Sequence, residues 1–348
     1  MDRLLSIRGL SVTFATKHGP VRAVRGVDLD LYSHEVLGVV GESGSGKTVM
    51  VKAVMGVIRP RRDVEISGSV VLRGLELICL SDSQLRQVQG RQIALIFQDP
   101  MSALDPLMRV GSQVIETLQA HTDLSRREAL ARAARLLQEV EIPRARDRLL
   151  SYPHQLSGGM RQRVMIAMAL ACDPLVLIAD EPTTALDVTT QASVLALLNR
   201  LRRERGSSII FVTHDLAVLA QLADRVMVMY AGRCVEQGPI DKIYRKPRHP
   251  YTIALLASSP SLISPGARLR AIDGSPPAPE QVAPGCAFAP RCPFAFAKCN
   301  TEEPSLDFEA NDLEHAVRCW LSAEERDAAH ARLLAAVDSG RPAAELGR

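Results

Sequence analysis

Val36-Leu37-Gly38-Val39-Val40 runs straight into Gly41-Glu42-Ser43-Gly44-Ser45-Gly46-Lys47-Thr48, and this stretch decides the fold. The first five residues are continuously apolar, as a strand buried on both faces should be. The next eight match a phosphate-binding loop opening a helix. Glycines let backbone N–H groups converge on phosphate oxygens, and the helix start points its positive end at them. Gly41, Ser43, Gly44, Ser45 and Gly46 form the cradle, Lys47 reaches the β- and γ-phosphates, and the Thr48 hydroxyl is the expected Mg²⁺ ligand. Helical spacing continues from Thr48 to Ile58, and Arg59-Pro60 stops it.

Further along, three strand ends offer polar groups. Leu177-Ile178-Ala179-Asp180-Glu181 ends an apolar run in two acids. Asp180 is expected to hold the Mg²⁺ shell and Glu181 to polarise an attacking water as general base. His214 follows Ile209-Ile210-Phe211-Val212-Thr213, at the sheet edge where ligands collect in open α/β folds, and suits a γ-phosphate sensor. Gln98 ends the run Gln92 to Phe97, where it can meet both Mg²⁺ and the attacking water.

A second glycine-rich turn, Leu156-Ser157-Gly158-Gly159-Met160, opens the helix Met160 to Ala171. Two consecutive glycines there cost about 1 kcal/mol each relative to alanine, more than a plain helix cap explains. A second anion-binding helix start makes sense if Ser157, Gly158 and Gly159 close over the nucleotide of another subunit. Phe14, on an early strand, has two readings of equal weight: stacking on adenine and core packing.

Alternating apolar and polar residues over 4–40 predict antiparallel strands with turns at Gly9, Gly19-Pro20 and Gly26. Residues 100–165 change to amphipathic helices, Ser112 to Ala120 and Ser125 to Glu141. Strand–helix alternation then resumes through Leu175 to Ala179, Gln191 to Arg205, Ser208 to Thr213 and Arg225 to Tyr230, which implies a parallel sheet. The expected fold is α/β: a P-loop ATPase core with an N-terminal antiparallel β-subdomain, an inserted α-helical subdomain and a Cys/Pro-rich C-terminal extension. The expected boundaries are 1–240 for the ATPase, with its helical part at about 100–165, then 241–325 for the extension and 326–348 for a tail.

Composition narrows the class. A net charge of +3 and only short basic clusters argue against nucleic acid as a partner. The longest apolar run, Val164 to Cys172, is about half of the roughly 20 residues a membrane span needs. The start, Met1-Asp2-Arg3-Leu4-Leu5, lacks the pattern of a signal peptide, so a cytosolic chain is expected. Four of the seven cysteines, Cys286, Cys292, Cys299 and Cys319, crowd the Pro-rich end. In a cytosolic chain such a cluster reads as metal before disulfide, and four thiolates suit zinc or iron–sulfur.

In this order the motifs resemble the nucleotide-binding subunit of an ATP-binding cassette transporter. Gln98-Asp99-Pro100-Met101-Ser102-Ala103-Leu104-Asp105-Pro106, Met160-Arg161-Gln162-Arg163, His249-Pro250-Tyr251-Thr252 and the four-Cys end resemble the dipeptide/oligopeptide importer subfamily. The resemblance implies ATP and Mg²⁺ at Lys47, Thr48, Gln98, Asp180, Glu181 and His214. It also implies contact in trans from Ser157 to Gly159 and from Asp187. It implies a second cassette subunit, commonly a paralogue that makes a heterodimer, and two membrane permeases faced by Gln98 and Asp99 to Gly111. An extracytoplasmic peptide-binding protein and a place on the cytoplasmic face of the membrane complete the assembly. For the cysteines, the wide spacings and the resemblance together favour a [4Fe–4S] cluster over Zn²⁺. A nickel or other small-solute importer is the nearest rival within transporters. A soluble repair or translation cassette would carry coiled coils or two P-loops, and neither is present.

Overall fold

The computed structural model describes residues 2–184, 186–258, 272–278, 280, 282, 284–309 and 312–339, the side chains of 334–339 excepted. Ala185, Pro260, Pro265, Pro279 and the tail beyond residue 339 lie outside the described residues.

The first sheet is antiparallel, in the order β2-β1-β4-β5. Its strands are β1 (Arg3–Thr16), β2 (Gly19–Tyr32), β4 (Val64–Leu72) and β5 (Leu75–Glu76), with β3 (Val36–Val40) belonging to the second sheet. Gly9 and Gly26 are not turns, as alternation alone predicted. Both sit inside long strands, at φ of 58° and 63°. They mark irregularities where the β1–β2 register shifts between Ile7 and Leu10 and between Leu10 and Val12. Side chains replace the lost ladder bonds: Gly9 N–H donates to Asp28 (2.7 Å) and Gly26 N–H to Ser11 Oγ (2.8 Å).

The second sheet has eight strands, adding β6 (Ile93–Ile96), β7 (Val176–Asp180), β8 (Ser208–Thr213), β9 (Arg225–Tyr230), β10 (Arg233–Pro239), β11 (Asp307–Glu309) and β12 (Asp312–Val317) in the order β11-β12-β10-β9-β3-β8-β7-β6. From β9 to β6 the pairing is parallel. The central strands β3, β7 and β8 are buried along their whole length. Their side chains divide by period two. Val36, Val40, Leu177, Ala179, Ile209 and Phe211 enter one core, shared with the helices Val110–His121, Arg126–Glu139 and Gly158–Ala169. Leu37, Val39, Val176, Ile178, Ile210 and Val212 enter a second core beneath the antiparallel sheet and the helix Lys47–Val54. Among the described residues no helix is long and apolar enough to cross a membrane.

The Pro-rich end is more than an appendix. β12 pairs with β10 (Glu236↔Val317, Gln237↔Ala316), so the main sheet continues into it. Beside this junction Glu236 is fully buried and accepts from Arg248 N–H (2.7 Å) and His249 N–H (2.9 Å), with His315 Nε2 at 2.7 Å. His249 is itself buried, and its Nδ1 accepts from Tyr251 N–H (3.0 Å) at the start of the helix Pro250–Ala257.

Burial lowers the His249 pKa to about 4. An unfolded histidine titrates near 6.5, so between these values the unfolded chain binds a proton that the folded chain refuses. Stability should therefore fall as pH drops from about 6.5 to 4, by up to about 3 kcal/mol from this residue alone. Urea midpoints measured across that window in wild type and His249→Asn should diverge, with the variant flatter. Parallel curves would remove His249 as the cause.

Candidate functional site

β3 delivers the chain into the loop Gly41 to Gly46, and two glycines there are sterically required. A Cβ on Gly41 would meet Met229 O at 2.2 Å, and one on Gly46 would meet Ala23 O at 2.3 Å. Gly46, at φ 98°, caps the helix Lys47–Val54 without a side-chain bond, which leaves the first N–H groups for a ligand. Lys47 is buried, and its ammonium donates to Gly41 O (2.7 Å) and Glu42 O (3.0 Å). Burial lowers its pKa, opposed by Glu181, Asp180 and Glu42.

Asp180, the last residue of β7, is buried and accepts from Thr48 Oγ1 (3.1 Å). Burial raises its pKa, and the Thr48 bond opposes the rise. A hydroxyl beside a carboxylate is an all-oxygen donor pair, the chemistry that a hard cation such as Mg²⁺ takes. Glu181 adopts a left-handed φ of 47°. Its N–H donates to Val212 O (3.0 Å), which pins this costly conformation to β8. Its carboxylate gathers Gln98 Nε2 (3.3 Å), Thr184 Oγ1 (3.0 Å) and His214 Nδ1 (3.4 Å), with Lys47 Nζ at 4.0 Å. The His214 bond, more than any other contact, lowers the Glu181 pKa, and Glu181 raises that of His214. These contacts favour the ionised form of Glu181.

A cavity of about 350 Å³ opens over these groups. Phe14, Ser43 to Thr48, Gln98 and Glu181 line it. Phe14 also packs against the second core. Asp180 and His214 reach this cavity through Thr48 and Glu181. The structure does not bring Ser157, Gly158, Gly159 or Asp187 to it. Ser157 caps its own helix by accepting from Met160 N–H (3.3 Å), and Asp187 caps the helix Val188–Arg205 by accepting from Thr190 N–H (2.9 Å). The two caps are neighbours, since a Cβ on Gly159 would lie 2.8 Å from Thr190. Ser157, Gly158 and Asp187 are exposed.

Sequence reasoning missed Arg22, Gly232 and Pro277 in the cavity lining. It also missed Arg291, which pairs with Glu42 of the loop (2.7 Å). An acidic residue inside an anion-binding loop was the available signal that a cation must stand nearby.

The iron–sulfur and metal-binding expectation is overturned. Cys286, Cys292, Cys299 and Cys319 do share a pocket, but it encloses about 20 Å³, room for one water and not for a four-iron cube. Among the described residues no group of three or more His, Cys, Asp or Glu could hold a metal ion, so the [4Fe–4S] cluster and the Zn²⁺ alternative both lack a site. Burial pushes Cys292 up to about 12, Cys319 up to about 11 and Cys286 upward, which keeps them neutral thiols. The extension is fastened by other means: the Tyr230–Tyr251–Phe288 aromatic cluster and buried ion pairs such as Arg248–Glu309.

Residues 24–184 match the family model described as ABC transporter, and residues 235–299 match that of the oligopeptide/dipeptide transporter C-terminal region. The dipeptide transport ATP-binding protein DppD of Bacillus subtilis (strain 168) is 46% identical over 333 residues, covering 96% of this chain and 98% of that protein. The oligopeptide transport ATP-binding protein OppD of Escherichia coli (strain K12) is 46% identical over 324 residues, covering 93% and 95%. Among solved structures, the dimeric post-hydrolysis state of the ATP-binding cassette MJ0796 bound to ADP and Pi is similar. It has a TM-score of 0.62 and 28% identity, over 68% of this chain and 99% of that one.

Because Phe14 lines the cavity, Phe14→Ala should weaken ATP binding roughly tenfold, within what one base–aromatic stack contributes. Binding of inorganic tripolyphosphate should not change. Equal losses for both ligands would show that Phe14 supports the loop and does not meet a base.

Proposed function

This chain belongs to the ATP-binding cassette transporter family, and we propose that it is the ATP-hydrolysing subunit of an importer for di- or oligopeptides. The ionised Glu181 carboxylate at the mouth of the P-loop cavity, gathered by Gln98, Thr184 and His214, carries the catalytic half of this reading. The peptide half rests on the match of residues 235–299 and on the relatives named for dipeptide and oligopeptide transport.

The triphosphate lies along the loop, its oxygens accepting from the N–H groups of Ser43 to Thr48 and from the Lys47 ammonium in place of the carbonyls that Lys47 now holds. Thr48 and Asp180 supply oxygen ligands to Mg²⁺, which screens the phosphate charge when bound. Glu181 accepts a proton from the attacking water. Gln98 and His214 orient that water and the γ-phosphate. Phe14 stacks on the base. The turn Ser157 to Gly159, with Ser157 and Gly158 exposed, and the neighbouring Asp187 act on the nucleotide of a second cassette subunit, in our reading a paralogue. The pair of cassette subunits lies at the cytoplasmic face of the membrane beneath two transmembrane permeases, and the complex receives peptide from an extracytoplasmic binding protein. On this reading residues 1–240 are the ATPase, 241–325 the extension and 326–348 a tail.

Glu181→Gln keeps size and hydrogen bonding but removes the base. ATP binding should persist while turnover of the assembled transporter falls by roughly 10²–10⁴. Turnover near wild type would disqualify Glu181. Ser157→Arg should abolish hydrolysis at the partner's nucleotide yet leave the ATP affinity of the isolated subunit unchanged. Loss of affinity in the isolated subunit would contradict action in trans.

A further inference from the structure

Glu42 of the P-loop is bonded to the extension through both its backbone and its side chain. Glu42 donates its N–H to the Tyr251 hydroxyl (2.8 Å), and its carbonyl accepts from Lys47 Nζ (3.0 Å). Its carboxylate turns to the extension and takes both arms of the Arg291 guanidinium, at 2.7 and 3.1 Å. The Arg291 side chain is only 4% exposed. It also donates to the Tyr230 hydroxyl (3.3 Å), to Asp273 O (2.9 Å) and to Ile272 O (3.2 Å). Tyr230 and Phe288 each present a ring 5.9 Å from it. The strand of chain that it grips, from Ile272 onward, carries Pro277 to the cavity wall.

This arrangement answers an electrostatic problem. A loop that binds a triphosphate carries an acid of its own, and that acid is partly withdrawn from water. Unpaired, its charge would oppose the ligand's through a medium that screens poorly. A planar, permanently charged fork is the side chain best suited to cancel it.

We propose that Arg291 is a positioning residue for the nucleotide: from outside the cavity it cancels the Glu42 carboxylate, fixes the loop and so sets ATP affinity. The extension is then a working part of the ATP site. The inference rests on reading the cavity as that site.

The test is equilibrium binding of Mg-ATP to the full-length chain by calorimetry. Arg291→Met should raise the Kd about tenfold or more, and Glu42→Gln added to it should bring the Kd back to within about threefold of wild type. An Arg291→Met Kd within about twofold of wild type, or a double variant as weak as the single, overturns the proposal. If Arg291→Met does not fold, Arg291→Lys and Arg291→Gln give the same comparison: the lysine variant stays within about threefold of wild type and the glutamine variant falls about tenfold. Equal values for those two overturn it as well. Wild-type protein that binds no ATP would instead overturn the reading of the cavity.

Discussion

A buried ammonium governs this structure. Lys47 is 4% exposed, and a charge so withdrawn needs oxygen partners inside the protein. It finds them in the carbonyls of Gly41 and Glu42, which the chain can present only by curling back over its own helix start. That curl admits no Cβ where it touches Met229 O and Ala23 O, so β9 and β2 lie directly against it. The loop thus fixes how the antiparallel sheet sits on the parallel one. Its Glu42 in turn fixes where the extension sits.

The gathering of polar groups at the cavity follows from strand order. β3, β8, β7 and β6 are neighbours and run in parallel. The P-loop, His214, the Asp180-Glu181 pair and Gln98 each follow one of those strands, so they emerge on one edge within reach of each other. This is the general property of open parallel sheets that gathers sites at the C-terminal ends of strands.

Much of this was legible because the signals are local. The apolar run 36–40 is a doubly buried strand as read, 208–213 is a strand, and the amphipathic pattern from Ser125 is the helix Arg126–Glu139. Glu181 and His214 were legible because a strand end aims them. The bulges at Gly9 and Gly26 were not, because a positive φ inside a strand and one in a turn look alike in sequence. The Arg291–Glu42 pair spans 249 positions, and only the fold makes it. The cysteines misled because spacing reports how ligands are strung, and not whether the space among them is large enough or polar enough for a metal.

The β11–β12 hairpin does something for β10 that its own sequence does not. β10 is a seven-residue strand whose far side would otherwise offer open N–H and C=O groups to any passing strand. With the hairpin in place, the eight-stranded sheet is bounded by the three residues of β11 on one flank and the four of β6 on the other. Flanks that short make poor templates for strand addition. The hairpin therefore also guards solubility: a version of this chain cut before residue 307 would bare β10 and invite sheet-to-sheet aggregation even with its ATP groups intact.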